Sequence, residues 1–365
     1  MKTAGFSRFV ALNEQSAPHL FRKVLNEDLP FDSSGIVEKT HVRSRLIAHE
    51  DASVEDLARN VIIVLSDRVR FNLADAGGLV LASCSPGDIQ RTAESIAHKL
   101  GIGGEIRGVD VACSGFTAGT ELARDISLSS DKSVVLATSE ITSRMINWEK
   151  PSGSVFLTDD ARARGKAAKI FGDGTAAVLV KSGSQSRDFD ILDAFAVDME
   201  DPDNLLTLSP VDGAMNIDGS FREGKSPCIN MVGRAGAKLM KLAPAAMTDA
   251  IRMSMQRALR YGTLAPSEAL RHVVHHQANG GMVRDMEDRL KTMHHKDVCV
   301  WDAIADQGNI SAASIPAALS HIQDRILPRE IIAMPSVGAG SPSFRDGWLT
   351  KGCVLARKTE TRMGQ

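Results

Sequence analysis

Apolar positions along the chain recur in two rhythms, one of helical and one of strand spacing. Residues 51–72, DASVEDLARNVIIVLSDRVRFN, put Leu57, Val61, Val64 and Leu65 on one helical face, with Asp51 or Ser53 as cap. GGLVLASCS, 77–85, is a continuous apolar run flanked by glycines and predicts a buried strand. RTAESIAHKLGI, 91–102, predicts a helix stopped by Gly101. A short strand, Val109 to Ala112, then runs into Cys113, Ser114 and Gly115, after which Ala118, Leu122 and Ile126 mark another helix. SVVLATSEI, 133–141, is a further strand, and IFGDGTAAVLV, 170–180, is a glycine turn entering a strand. The first 50 residues read as a strand and a mixed segment ending in GIVEKTHVRSRLIA.

The second half repeats that order. Residues 234–262 predict a long helix with Pro244 as a candidate kink. HVVHHQAN, 272–279, is a strand with a polar end, followed by a helix over 281–293 and a short strand over 297–304. Residues 308–326 predict a helix with Asn309 and Ser311 as cap candidates, and strands over 330–340 and 352–358 close the chain. The polar, glycine-rich stretch 183–227 is expected to carry a crossover and a surface excursion, and KTMHHKD to be a solvated turn. Alternating strands and helices imply α/β layers around a largely parallel sheet.

Composition narrows the function classes. The chain has 365 residues, is 43% hydrophobic and 24% charged, and carries a formal net charge of −2. With no long basic run, binding to nucleic acid has no electrostatic support. No apolar stretch reaches the ~18 residues of a membrane span, and the first residues lack a signal-peptide run. The five cysteines, 84, 113, 228, 299 and 353, contain no CxxC pair. That argues against a zinc site or a disulfide framework and fits a reducing cytoplasm.

Three segments put polar side chains where parallel sheets place their sites, at the carboxyl ends of strands. Cys113 enters a helix N-terminus, whose unpaired N–H groups and dipole favour a thiolate. His276 ends a strand, with Asn279 close behind, and Asn309 precedes a helix. A thiol, an imidazole and a carboxamide suffice for carbon–carbon condensation without a metal. The thiolate accepts an acyl group from a thioester, and neutral His276 and Asn309 donate hydrogen bonds to a second thioester carbonyl as CO2 leaves. Each residue also has a plainer reading. Cys113 fits a buried core cysteine. Either of His275 and His276 fits a core histidine, since adjacent strand residues face opposite ways. Asn309 fits a simple helix cap.

Taken together, VACSGF around Cys113, HHQAN around His276, GNISAAS around Asn309, FGDGTAAVLV at 171–180 and GAG at 338–340 resemble the β-ketoacyl-acyl carrier protein synthase III branch of the thiolase superfamily. A weaker match covers 36–48. The resemblance implies the duplicated five-layer αβαβα thiolase fold with two mixed, mostly parallel sheets. One half, 1–182, would carry the nucleophilic cysteine, and the other, 183–365, the histidine and asparagine. It implies a homodimer with Cys113 acylated by an acyl-CoA or similar thioester. Condensation would follow with malonyl-acyl carrier protein or malonyl-CoA, under an oxyanion hole of the Cys113 and Ala339 backbone N–H groups. No metal or redox cofactor is implied.

Several positions depart from the family pattern, and they cluster at the expected tunnel mouth. Gly35 stands where housekeeping members carry a CoA-stacking tryptophan, and Lys39-Thr40-His41-Val42 replaces Arg-Thr-Gly-Ile. Trp148 is a candidate replacement platform. Gly280-Gly281 follows HQAN where an arginine is common, and the next arginine is Arg284. The turn SPSFRDGWLTKG is longer than usual. Ile89 aligns near a bulky tunnel-lining position. These changes favour a specialised fatty-acid or polyketide-like pathway. Acyl transfer to an oxygen or nitrogen is the alternative on the same fold. A further variant is condensation with an acidic primer on the way to a dicarboxylic biotin precursor, with Arg144 or Lys39 pairing its carboxylate. A non-catalytic partner subunit of a ketosynthase heterodimer is the alternative of another class.

Overall fold

The computed structural model describes residues 3–31, 33–85, 87–148, 167–183, 187–230, 235–293, 297–340 and 342–360. Two runs of elements follow the same order. The first is β1 (Ala4–Ala11), β2 (Phe21–Leu25), α1 (Ile36–Thr40), β3 (Ser44–Ala48), α2 (Val54–Val69), β4 (Gly78–Ala82), α3 (Ile89–Leu100), β5 (Glu105–Val109), α4 (Gly115–Ser130), β6 (Val134–Glu140) and β7 (Gly174–Ser182). The second is β8 (Phe189–Glu200), β9 (Thr207–Asp212), β10 (Lys225–Asn230), α5 (Ala235–Arg260), β11 (Leu270–Val273), α6 (Gly280–Thr292), β12 (Cys299–Val300), α7 (Ser314–Ile322), β13 (Ile331–Gly338) and β14 (Trp348–Lys358).

Ten strands form one continuous mixed sheet in the order β12-β11-β13-β14-β8-β1-β7-β6-β4-β5, whose two halves stand where two sheets were expected, and β2–β3 and β9–β10 form separate two-stranded ladders. In each half the three outer strands are parallel, and the two inner ones pair antiparallel. The halves join where β1 meets β8, at Gly5–Asp190 and Phe6–Phe189. A Cβ on Gly5 would lie 2.1 Å from the Phe189 carbonyl oxygen, so only glycine allows that approach.

Strand alternation builds the layers. Leu79, Leu81, Val135, Ala137 and Leu179 face α2 and α3. Their neighbours Val80, Val134, Leu136 and Val178 face the opposite way, toward α4 and α7. Ile332, Met334, Val354 and Ala356 close on those same two helices from the other half. Leu192, Ala333 and Leu355 turn outward to α5 and α6. The order is therefore helix, sheet, buried helix pair, sheet, helix.

Local signals set most helix ends. Ser53, rather than Asp51, caps α2. Its hydroxyl accepts the Asp56 N–H at 3.1 Å, and the Asp56 carboxylate accepts the Ser53 N–H at 3.0 Å. Asp88 caps α3 two residues earlier than the expected start, and Gly101 ends it at φ +67°. Helix α5 runs through Pro244 without a break.

The strand expected over Val109–Ala112 lies earlier, as β5, and ends at Val109, with Ala112 already in a 3-10 turn. Of the other expected strands, β11 stops at Val273 and β12 holds only two residues. The stretch 183–227 differs most from expectation. It contains β8, twelve residues long, besides the β9–β10 hairpin. The aspartates of FDILDAFAVDME disguise a strand whose first half, through Phe195, is buried on both faces. Asp193 is buried because Ser254 donates to it at 2.8 Å and Arg257 at 3.1 Å from α5. Paired in that way, a buried carboxylate is tolerated in a strand. His294 and His295 of KTMHHKD lie outside the described residues.

Candidate active site

Cys113 sits in a 3-10 turn, Ala112–Ser114, that feeds α4. Ala112 is forced to φ +43°. A left-handed alanine costs roughly 1 kcal/mol or more, so tertiary contacts must hold it. Two such contacts come from the far end of the chain. The Ser343 hydroxyl accepts the Ala112 N–H at 2.5 Å, and the Ser114 hydroxyl donates to the Thr350 carbonyl at 2.7 Å. The long turn after Gly340 thus folds against the nucleophile's turn. Gly338 presses on the same turn. A Cβ there would lie 2.8 Å from Cys113 N and 2.7 Å from Ser114 N. Ala339, next in line, is buried beside Ala112 and Cys84.

A second 3-10 turn, Ser311–Ala313, feeds α7 and carries the matching backbone distortion, with Ser311 at φ +48°. The two turns touch where a Cβ on Gly115 would come within 2.9 Å of Ala312 Cβ. Asn309 precedes this turn. Its Oδ1 accepts the Ser311 N–H at 2.9 Å, a local turn rather than a helix cap. Ile310 and Ala313 hold the cap positions without side-chain bonds, so neither Asn309 nor Ser311 caps as expected. With Oδ1 engaged, the amide NH2 is the group left to face the cavity. Its backbone is tied to the glycine turn, from Asn309 N to the Ile170 carbonyl at 2.7 Å and from Gly172 N to the Asn309 carbonyl at 3.1 Å. Arg45, missed in the sequence, anchors that turn from beneath. Fully buried, it donates to the carbonyls of Ala168 at 2.7 Å and Phe171 at 3.1 Å and to Asn26 Oδ1 at 2.8 Å. Burial lowers its pKa to about 10. An arginine inside an apolar strand word was the available signal.

His276 lies beyond the last ladder pair of β11 but still runs beside β13, its N–H bonded to the Pro335 carbonyl at 2.9 Å. Its Nδ1 meets the Ser314 hydroxyl at 2.8 Å. Burial, then the neighbouring His275, pushes its pKa down to about 3, so the ring is neutral. His275 turns away and bonds the His276 carbonyl through Nδ1 at 2.6 Å.

Cys113, His276 and Asn309 line one narrow cavity of about 50 Å³. Its other walls are mostly apolar, with Phe171, Leu206, Met240 and Met282 among them, and Asn279 at the rim. Asn279 caps α6 by accepting from Gly281 N at 2.9 Å. The thiol is not the ready thiolate that its place before a helix suggested. Burial raises the Cys113 pKa to about 12 and outweighs the helix terminus.

Four other residues expected near substrate stand elsewhere. Trp148 is 1% exposed, and its indole N–H donates to the Ser143 carbonyl at 3.0 Å, so it offers no free stacking face. Ile89 is the first residue of α3 and packs into the outer core rather than the cavity. Arg144 donates to the backbone carbonyls of His49, Glu50 and Ala52. Lys39 is exposed on α1. Two of the departures from the family pattern prove to be coupled. A Cβ on Gly280 would collide with the His41 ring at 2.0 Å, and that ring bridges Asp302 and Arg284, each at 2.7 Å. The glycine after HQAN makes room for the histidine of the Lys39–Val42 word.

The layered fold and the cavity between its halves define a thiolase-type enzyme. Residues 108–198 match the family described as 3-oxoacyl-[acyl-carrier-protein] synthase III, and 264–343 match its C-terminal domain. The chain is 27% identical over 328 residues to a β-ketoacyl-[acyl-carrier-protein] synthase III of Wolbachia sp. subsp. Brugia malayi, covering 88% of this chain and 90% of that one. It is 29% identical over 321 residues to the enzyme of that name from Nitratidesulfovibrio vulgaris, covering 84% and 87%. The crystal structure of 3-oxoacyl-(acyl carrier protein) synthase III from Pseudomonas aeruginosa superposes with a TM-score of 0.68 at 23% identity, over 98% of this chain and 99% of that one. These family matches, relatives and superposed structure together support a β-ketoacyl synthase III-like enzyme of the thiolase superfamily, an acyltransferase of the carbon–carbon condensing kind.

Proposed function

We propose that the enzyme joins two thioesters by decarboxylative Claisen condensation, with Cys113 as the acylated nucleophile. The observation that carries this reading is the convergence of Cys113, His276 and Asn309 on one cavity from positions 113, 276 and 309. Cys113 Sγ attacks the acyl thioester, and the backbone N–H groups of Cys113 and Ala339 receive the developing oxyanion. The departing thiolate takes a proton from water. A malonyl thioester then enters with its carbonyl held by His276 and Asn309. A Ser314 hydroxyl donating to Nδ1 leaves the proton on Nε2, which suits a neutral donor. Loss of CO2 leaves an enolate whose carbon attacks the acyl group on Cys113. The C–S bond breaks and a β-ketoacyl thioester departs.

Substrates are acyl-CoA and a malonyl thioester on acyl carrier protein or CoA, acting in the cytoplasm on a homodimer. The altered mouth, Gly35 and His41 against Gly280, supports a specialised rather than a housekeeping acyl donor. Intact-mass measurement after incubation with a panel of acyl-CoA and acyl carrier protein thioesters tests the loading step. Labelled CO2 release from the malonyl thioester tests the condensation. Loading without CO2 release would move the assignment to acyl transfer onto oxygen or nitrogen. Neither loading nor release would leave a partner subunit.

A further inference from the structure

One buried group has no part in the mechanism above. Glu140, at the end of β6, is fully buried directly behind the nucleophile. Its Oε2 accepts from Cys84 N at 3.1 Å, Cys84 Sγ at 3.4 Å, Ser83 Oγ at 3.3 Å and Ser85 Oγ at 3.2 Å. Its Oε1 accepts from Ala312 N at 3.2 Å. No lysine, arginine or histidine pairs with it among the described residues. Cys84 Sγ also meets Ser311 Oγ at 3.4 Å, where either can donate, and the Ser311 hydroxyl donates to Cys113 Sγ at 3.7 Å. An unbroken line of hydrogen bonds therefore joins the thiol in the cavity to a carboxylate in the interior. A buried carboxylate without a cation is costly, and a fold that keeps one there invites a reason.

We propose that Ser311 and Cys84 pass the Cys113 proton to Glu140 when the thiol attacks, which makes Ser311 a further catalytic residue and Cys84 and Glu140 positioning residues behind it. This rests on Cys113 being the acylated thiol. In the loading half-reaction the Ser311 hydroxyl turns from Cys113 to Cys84, and the Cys113 S–H bond breaks as Ser311 Oγ takes its proton. Ser311 gives its own to Cys84 Sγ, and the Cys84 proton forms an O–H bond on Glu140. In the condensing half-reaction Cys113 leaves as a thiolate and takes one proton back by the same line. Glu140 ends each turnover ionised, and the one proton the overall reaction consumes is the one that water gives to the departing thiol.

The surroundings agree. A thiol held up near 12 needs an acceptor close by, and burial sets Glu140 at about 7, near the working pH for a general base. The titratable groups facing Glu140 are the thiols of Cys84, from the end of β4, and Cys113, from the turn before α4. The turn before α7 offers it only hydroxyl and backbone groups, and His276 faces Cys113 from across the cavity. Asp173, on the other side of β6's end, is taken by Ser143 and Ala48.

Alkylation of Cys113 by iodoacetamide reads the thiolate without any thioester, and peptide mass spectrometry separates it from exposed Cys299. In the native protein the rate should rise with Glu140 ionisation, near neutrality. Glu140→Gln should remove that rise and slow alkylation at neutral pH by about tenfold or more. Cys84→Ala should do the same, and Cys84→Ser, which keeps a hydroxyl in the line, should restore the native profile. An unchanged pH profile in both Glu140→Gln and Cys84→Ala would overturn the proposal. Should the glutamine variant fail to fold, the alanine and serine variants at Cys84 decide. A native alkylation profile with no acyl loading would sink the condensing role of Cys113 and leave the proton path standing.

Discussion

The two halves of the molecule use the same backbone device and load it with different chemistry. Each sends a left-handed residue, Ala112 or Ser311, into a 3-10 turn and then into a buried central helix. In the first half the turn itself holds the reactive group, Cys113. In the second half Ala312 occupies the middle of the turn, and the polar groups flank it as Asn309 and Ser311. The strand ends differ in the same sense. Beyond β4 the chain turns Ser83, Cys84 and Ser85 onto a buried carboxylate, whereas beyond β11 it turns His276 onto a neutral hydroxyl. Duplication supplied two symmetric turns, and their contact at Gly115 and Ala312 made one site out of them.

That asymmetry breaks most visibly at the nucleophile. Cys113→Ala should abolish acyl loading, a loss of roughly a thousandfold or more in turnover, read by intact mass and product formation. His276→Ala or Asn309→Ala should leave loading in place and cut CO2 release by about 10²–10³, the scale for losing one carbonyl donor. Loss of loading in either variant would mean that the halves do not divide the two steps.

The halves should also respond to pH with opposite sign. Burial raises Glu140 from 4.5 to about 7, so the fold binds more protons than the unfolded chain between those values. Its contribution is present in full below about pH 4.5 and lost as pH rises through 7. His275 and His276 are lowered from 6.5 to about 4 and about 3, so their contribution is present above pH 6.5 and lost as pH falls through those values. At the limit Glu140 and His275 are each worth about 3 kcal/mol and His276 about 5 kcal/mol. Denaturant unfolding across this range should show Glu140→Gln gaining stability relative to the native chain as pH rises. His276→Gln should instead gain as pH falls. Slopes of the same sign would refute the contrast.

Gly338→Ala sharpens the contact between halves. Its Cβ meets backbone nitrogen on the Cys113 turn, which cannot swing aside, so about 1–3 kcal/mol of stability should go, with much of the loading rate. The smallest effects lie in the outer helices. Ser53→Ala and Asn279→Ala should each cost about 1 kcal/mol as lost caps, measured by thermal melting. Only the second, at the cavity rim, should also change acyl loading.

Much of this was legible because it is local. Ser53 and Gly101 sit within a turn of the helix ends they set, and the apolar runs in 77–85 and 133–141 mark strands whatever packs on them. The words around Cys113, His276 and Asn309 were legible too, as residue types at strand ends. Strand β8 was not, because Asp193 looks like a loop residue until Ser254 and Arg257 from α5 satisfy it. Trp148 misled for the converse reason. An aromatic side chain does not reveal whether its face will be open, and here a carbonyl of its own loop holds it inside.

The order of elements, the helix caps and the presence of a thiol, an imidazole and a carboxamide were decided by the sequence, since spacing and side-chain chemistry act over a few residues. The tertiary structure alone decided the protonation of those groups. Whether Cys113 rests as a thiol, His276 as a neutral ring and Glu140 as a half-ionised acid depends on how much water the rest of the fold excludes. Desolvation is set by atoms distant in the chain, and no local pattern of residues records it.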